Sequence, residues 1–469
     1  YGVQPDYLAD LIDAELRIFS LVDKYFSEVK NTSTTGLTED DLLSIKQSRD
    51  ELGLSVRQIL EAQFEIFLGP EDDLSDVSIK VLDKLNKKYS IRPDECKKAR
   101  ALTKISRDLL DTLATETTNY DEFLARSRQL VTGSCVGIGL WHLGINDNEY
   151  DWVIIDEAAR SIASELAIAM QCGKRILLVG DHKQLPPLYT QAHKIALERK
   201  LGVPASLEGL IQSDFARAFE SPYGRQTGAS LLTQYRMAPD IGRLVSEVFY
   251  EGKLENGERT IPKFYNAGPQ FLKNQVTWVD TSALGEKSYH QSDKGVSIYN
   301  RCEADVIINM LKELYADQEL SRELKGIVDE GESAIGVICM YAEQKRVIKQ
   351  KFNEVVWSDE FKSLVKIGTV DSYQGKENRI VIISVTNSSP HKSPRFLKSP
   401  SRINVALSRA MDRLVIVGSA EMWKGKNEAL PLGKVVSLMS SNGGEGGYGF
   451  ICLGAEKNDQ WSKFFEKYA

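Results

Sequence analysis

Long apolar runs are missing from this sequence. No stretch of about 18 consecutive apolar residues occurs in the 469, so no segment is expected to cross a bilayer as a helix. Cysteine is sparse: Cys96, Cys135, Cys172, Cys302, Cys339 and Cys452 are the whole set, and none forms a Cys-x-x-Cys pair with another. The five histidines are not spaced as their metal partners. Neither a disulfide scaffold nor a zinc module is therefore expected, and a reducing intracellular compartment is. Positive charge is not in excess either. Lys and Arg total 59 against 66 Asp and Glu, a net −7. That argues against a simple basic nucleic-acid binder. It does not argue against a protein whose contacts line one groove of an otherwise acidic surface. The first residue is Tyr1, with no Met and no basic-then-apolar leader; no secretory signal is expected, and the natural protein is expected to extend beyond this chain.

What is present is ordinary for a globular protein, 42% hydrophobic and 27% charged, at a length that suits two or three domains. The first ~125 residues read as helices. Leu11, Ile12, Leu16, Phe19, Val22 and Phe26 keep a three-to-four spacing. A second helix is expected from Thr38, with Asp41 as a weak capping-box partner, to Leu68, where Gly69-Pro70 stops it. A third is expected over residues 74–88, and Pro93 opens a fourth toward Thr115. The pattern suits a helical hairpin or stalk and equally a plain helical bundle.

After Asp121 short β-branched runs alternate with helical stretches, at residues 129–136, 152–155, 175–179, 334–338, 367–370, 380–386 and 413–417. Buried strands separated by helices indicate parallel α/β sheets. They fall into two sets, before and after about Tyr223. The run Gly443 to Gly449 reads as a flexible loop.

Two strand ends carry polar chemistry. Trp152-Val-Ile-Ile is followed by Asp156-Glu157, and ligands of open α/β sheets bind at that carboxyl edge. An Asp there can hold Mg²⁺ through water, and the neighbouring Glu can polarise a water attacking a γ-phosphate. The next run, Arg175 to Gly180, ends in Asp181-His182-Lys183-Gln184-Leu185-Pro186-Pro187. The Gln184 amide can bond a γ-phosphate oxygen or the attacking water and lose that contact after hydrolysis.

These two strings resemble motifs II and III of superfamily 1 helicases. Thr233-Gln234-Tyr235-Arg236-Met237 resembles motif IV of the group containing the nonsense-mediated-decay helicase and senataxin. Thr369-Val370-Asp371-Ser372-Tyr373-Gln374-Gly375-Lys376-Glu377 resembles motif V, and Asn404-Val405-Ala406-Leu407-Ser408-Arg409-Ala410 motif VI. Ser134-Cys135-Val136-Gly137 is similar to motif Ic, and residues 297–304, with Asn300, to an element between motifs IV and V. The matches keep family order over about residues 130 to 420. Arg160, Ser408 and Met340 are minor departures.

The resemblance implies two RecA-like parallel-sheet domains, the first incomplete, after a long helical stalk-like insertion. Residues 1–125 would be the insertion, 126–222 the remainder of the first domain, 223–440 the second, and 441–469 a C-terminal tail. ATP and Mg²⁺ are implied, with Glu157, Gln184, Arg236 and Arg409 catalytic. Asp156, Tyr235, Gly375 and Glu377 would hold the nucleotide, and Asp156 the metal. The two arginines would neutralise charge on the transferring phosphoryl group. Tyr235 would stack on adenine, and Glu377 would accept from the ribose. Ser134, Asn300, Thr369, Lys392 and Arg395 would lie along single-stranded RNA or DNA, the first and third at strand ends where hydroxyls donate to phosphates. Residues 388–402 supply His391, Lys392, Arg395, Lys398 and Arg402, as a strand-tracking loop or a solvated one.

One part is lacking. No Gly-x-x-x-x-Gly-Lys-Ser/Thr string occurs, and the family pattern puts that phosphate-cradling loop before motif II and its insertions, upstream of Tyr1. The expectation is an intracellular ATP-dependent translocase, 5′ to 3′ by family analogy, with protein partners in a larger complex and no membrane. The alternative is a helicase-fold scaffold without catalysis.

Overall fold

The structure is a computed structural model that describes residues 4–31, 39–69, 72–114, 120–145, 149–189, 191–202, 213–292, 297–373, 375–389, 391–442 and 447–454. The chain divides into two compact units. One comprises residues 1–151 with 168–174, the other residues 152–167 with 175–469. None of the described helices is long and apolar enough to cross a membrane.

The first unit is mostly helical. Helix α1 spans Pro5–Ala14, and a π-helical turn, Glu15–Phe19, passes directly into α2 (Ser20–Asn31). Helices α3 (Glu39–Phe64), α4 (Val77–Tyr89) and α5 (Pro93–Ala114) follow. Pro93 opens α5 where its missing N–H costs nothing. Tyr7, Leu11 and Ile18 share one buried core with Val56, Leu60, Val81, Leu85 and Ala99. These contacts give the helices a core of their own. The Tyr7 hydroxyl, fixed by Asn86 Oδ1 at 2.9 Å, ties α1 to α4.

After α6 (Tyr120–Ser127) the run at residues 129–136 does not form the expected strand. The Ser134 hydroxyl accepts the Gly137 N–H at 3.0 Å and caps a single helical turn, α7 (Cys135–Ile138). A serine that satisfies helix-end donors favours the turn over a ladder. Strand β1 (Tyr150–Ile155), helix α8 (Ala163–Met170) and strand β2 (Gly173–Leu178) follow, with β1 and β2 paired as a two-stranded sheet.

The second unit is built on a six-stranded parallel sheet. Its elements are α9 (Pro239–Phe249), β3 (Val276–Asp280), α10 (Arg301–Ala316), β4 (Ile335–Cys339), α11 (Ala342–Asn353), β5 (Val365–Thr369), β6 (Asn378–Ser384), α12 (Pro400–Leu407), β7 (Ala410–Gly418), α13 (Pro431–Ser441) and β8 (Tyr448–Cys452). The strand order is β8-β3-β7-β6-β4-β5. The two-residue period of a strand sorts its side chains into two layers. Val381, Ile383, Leu414 and Ile416 pack on Ile241, Leu244, Ile403 and Val435 of α9, α12 and α13. Ile380, Ile382, Val415 and Val417 pack on Ile307, Leu311, Ile348 and Phe352 of α10 and α11. Covering both faces is why these strands read as unbroken apolar runs.

The fold class is α/β with a parallel sheet after a helical segment, as expected. Two details differ. The described residues 175–189 and 213–222 belong with the second sheet rather than apart from it, and Leu185 packs into the core of α9 and β6. The segment expected as a C-terminal tail supplies edge strand β8, paired along β3 from Tyr448 to Cys452. Residues 443–446 of the expected glycine loop lie outside the described residues. Gly449 serves close approach instead: a Cβ there would stand 2.2 Å from Asn274 Nδ2.

Candidate active site

The site gathers in the second unit around the exits of β1 and β2. Val179 N–H donates to Ile155 C=O and Ala158 N–H to Val179 C=O, each at 2.8 Å, so the two exits are held side by side. Asp156 and Glu157 emerge exposed. Asp156 Oδ1 accepts the Glu157 N–H at 2.8 Å, and Glu157 takes a left-handed φ of 53°. That conformation is uncommon outside glycine, and residues so held cluster at functional sites. Gly180 is required here, since a Cβ would lie 2.9 Å from Ala159 N.

Beyond Gly180 the chain turns around Asp181. Its carboxylate accepts Lys183 N–H at 2.9 Å and the Gln184 side-chain amide at 2.8 Å. Two residues from helices that cover the six-stranded sheet, Tyr250 at the end of α9 and Asn404 within α12, join the turn. The Tyr250 hydroxyl donates to Asp181 Oδ2 at 2.5 Å and accepts from Asn404 Nδ2 at 2.8 Å. Asn404 also donates to Lys183 C=O at 3.1 Å.

Arg409, just after α12, is 2% exposed. Its donors reach Val405 C=O (3.1 Å), Lys376 C=O (3.2 Å), Ser408 Oγ (3.0 Å) and Gln184 Oε1 (3.3 Å). All four acceptors are neutral. Burial first, and the nearby Arg236 second, push its guanidinium down to about 10, while Glu157, Glu377 and Tyr250 pull the other way. It stays charged at neutral pH, and Glu157 is near enough to act on it. The structure thus brings together Glu157, Gln184 and Arg409.

The motif around Tyr235 is held by Gln234, whose Oε1 accepts Met237 N–H at 2.7 Å and whose amide donates to Met237 C=O at 3.0 Å. Tyr235 is 67% exposed, with its ring against Gly257, where any Cβ would collide with it. An exposed ring braced from behind suits stacking on a flat base. Arg236 makes an ion pair with Glu377, both half-exposed. The expected phosphate-facing arginine and ribose-facing carboxylate are therefore partners of each other in this state. Gly375 has φ 72°, a turn that a side chain would strain.

The residues expected along nucleic acid fare unequally. Thr369 ends β5 with its hydroxyl 3.4 Å from Ser372 Oγ. Lys392 is exposed; Arg395 opens a short 3₁₀ turn, Arg395–Lys398, and its side chain lies outside the described residues. Ser134 belongs to the first unit and is a helix cap, so its expected position at a strand end is corrected. Asn300 is also corrected. It is fully buried, its Oδ1 caps α10 by accepting Glu303 N–H at 3.0 Å, and its amide donates to Ser288 C=O at 2.8 Å. A side chain so enclosed does not face a phosphate. Sequence reasoning missed Tyr250 altogether, and it named Asp181 and Asn404 only as members of motifs.

Among the described residues, no three His, Cys, Asp or Glu side chains converge on a metal site. Mg²⁺ is commonly held by one or two carboxylates with water and substrate phosphates, so the exposed Asp156 fits it.

Comparison with known proteins gives the family. Residues 7–192 match one family model described as an AAA domain, and residues 210–421 match a second with the same description. "Helicase sen1" of Schizosaccharomyces pombe is 27% identical over 84% of this chain and 23% of its own length. "DNA replication ATP-dependent helicase/nuclease DNA2" of Saccharomyces cerevisiae is 29% identical over 64% of this chain and 19% of its own length. "ATP-dependent helicase NAM7" of Saccharomyces cerevisiae is 32% identical over 62% and 27%. The chain therefore spans about a quarter of the length of these curated relatives. Fold, motif positions and relatives together define the class, a helicase with RecA-like sheets. Within it, the chain belongs to the superfamily 1B group of the nonsense-mediated-decay helicase and senataxin.

Proposed function

We propose that this chain forms most of the motor of an intracellular translocase that hydrolyses ATP to move along single-stranded RNA or DNA, 5′ to 3′. The observation that carries the reading is the bond between Gln184 and Arg409, which joins the β2 exit to the second sheet beside Asp156 and Glu157. Glu157 would polarise the attacking water, and Gln184 would orient it or a γ-phosphate oxygen. Arg409 and Arg236 would neutralise charge on the transferring group, once Arg236 exchanges Glu377 for phosphate. Glu377 would then be free for the ribose hydroxyls, with Tyr235 against the adenine. Asp156 would hold Mg²⁺, which when bound supplies positive charge to the phosphate oxygens. Thr369, Lys392 and Arg395 would meet the backbone of the strand.

The cradle for the phosphates, for which residues 1–469 hold no matching string, would come from a further segment of the polypeptide or from a partner. The test is Glu157→Gln in a polypeptide that includes such a loop. Turnover should fall by roughly 10²–10⁴, the usual contribution of a general base, with ATP affinity retained. Near-normal turnover would overturn the assignment. Binding of nucleic acid with no turnover in the unaltered protein would favour a scaffold.

A further inference from the structure

Tyr250 belongs to none of the motifs, yet it stands at the centre of the contacts that order Gln184. It is the C-terminal cap of α9, 69 residues from Asp181 in sequence. Its hydroxyl is used twice, as donor to Asp181 Oδ2 and as acceptor from Asn404 Nδ2. The Asp181 oxygen it bonds also accepts the Gln184 amide. The other end of that amide, Oε1, accepts from Arg409. A closed circuit results: Asn404 and Arg409 flank one helix end, Asp181 and Gln184 sit on one turn, and Tyr250 bridges them. Burial, with the Asp181 carboxylate behind it, pushes the phenol well above its ordinary range, so it remains a protonated donor.

A free glutamine amide can turn about its terminal torsion, and both its orientations are of similar energy. Here the turn is blocked from both ends. Nε2 is committed to a carboxylate, and Oε1 faces a guanidinium that can only donate. Asp181 in turn is fixed by Tyr250. We propose that Tyr250 is a positioning residue that locks the Asp181–Gln184 turn to the Asn404–Arg409 helix end. Sensor glutamine and buried arginine then meet the phosphates as one rigid piece. The proposal rests on the hydrolytic reading of Gln184 and Arg409 given above, and adds to it a residue that touches neither nucleotide nor metal.

Tyr250→Phe tests it, since the ring that packs against the core is kept and only the hydroxyl is lost. In the 469-residue chain, backbone hydrogen exchange at Lys183 and Gln184 should quicken roughly tenfold, the change expected for one lost hydrogen bond, with β6 and β7 unchanged. Unchanged exchange at the turn overturns the proposal whatever the enzyme does. In a polypeptide that carries the phosphate loop, kcat should drop by about 10- to 100-fold with KM for ATP unmoved, as misplacement of a reacting group does. In a Gln184→Ala background the same substitution should then cost nothing further; losses that multiply would show that Tyr250 acts elsewhere and would overturn the proposal. If Gln184→Ala alone leaves turnover intact, the hydrolytic reading of Gln184 fails, and the exchange experiment by itself decides whether Tyr250 is the tether.

Discussion

At the residue scale, Arg409 is a buried guanidinium whose hydrogen-bond partners are all neutral. A buried guanidinium in a folded protein is ordinarily paired with a carboxylate, because an unpaired buried charge is costly. Here the hydrogen-bond partners are three carbonyl or amide oxygens and one hydroxyl, and the acids nearby act only at a distance. The fork geometry makes this possible, since its donors can be satisfied one by one in a plane. Lysine has one charged centre and cannot reach the same four acceptors. Arg409→Lys should therefore fold but lose ~10³ or more in ATP turnover, the scale of arginine-finger losses, in a polypeptide with the complete phosphate site. Steady-state ATPase beside a thermal melt checks this, and turnover within threefold of wild type would remove Arg409 from the reaction. Much of this site was legible in the sequence, because Asp156, Gln184, Arg236 and Arg409 sit in short contiguous motifs. Tyr250 was not. The role proposed for it depends on a contact between residues 69 apart, and nothing in Phe249-Tyr250-Glu251 differs from an ordinary helix end.

At the scale of elements, the start of α10 carries a densely bonded, buried polar cluster. Asn300 caps the helix, Gln344 brackets its backbone, and Glu303 accepts from Ser384 Oγ at 2.6 Å and Thr386 N–H at 2.7 Å. Glu303 is fully buried, and burial raises its carboxyl to about 8 against the pull of those two donors. The sign follows from proton binding. Between the ordinary 4.5 and about 8 the folded state holds a proton that the unfolded chain releases. The stability this provides is full below 4.5 and is lost as pH rises through 8. Urea melts of the wild type should accordingly weaken from pH 5 to pH 8. In Glu303→Gln that slope should flatten, even if the variant starts lower; an equal slope in both would mean that Glu303 is already ionised when folded. The same element shows why part of the fold was hidden. The resemblance that makes Asn300 a ligand residue carries no information on burial, whereas its three-residue spacing to Glu303 matches a capping box. Strand β3 was passed over because Thr277 and Trp278 dilute its apolar run, and β8 because Gly447 and Gly449 look like loop residues. By contrast, α4 and α5 were legible from periodicity and from Pro93. The central strands β6 and β7 were legible because burial on both faces demands unbroken Ile and Val.

Over the whole molecule, charge is the property that composition describes least well. A net −7 would repel a polyanion if it were spread evenly. On the reading proposed above, binding would depend on a local track, and the segment before α12 is a candidate for it. Its start is anchored: Ser388 N–H reaches His290 Nδ1 at 3.3 Å and its hydroxyl donates to Ser288 C=O at 3.1 Å. Arg402, at the other end, lies 3.6 Å from Asp371 beside Thr369. Between these anchors Lys392 is exposed. Phosphate contacts release counterions, so each one steepens the fall of affinity with salt by about 0.7 in a log–log plot for single strands. Lys392→Ala should therefore weaken binding to a homopolymer strand modestly and reduce that slope by about 0.7, equally for RNA and DNA, because a phosphate contact reads neither base nor sugar. Fluorescence anisotropy across a salt series measures both quantities. A slope identical to wild type would show that the strand runs elsewhere on the protein. A change seen with RNA alone would mean that Lys392 senses the 2′-hydroxyl instead.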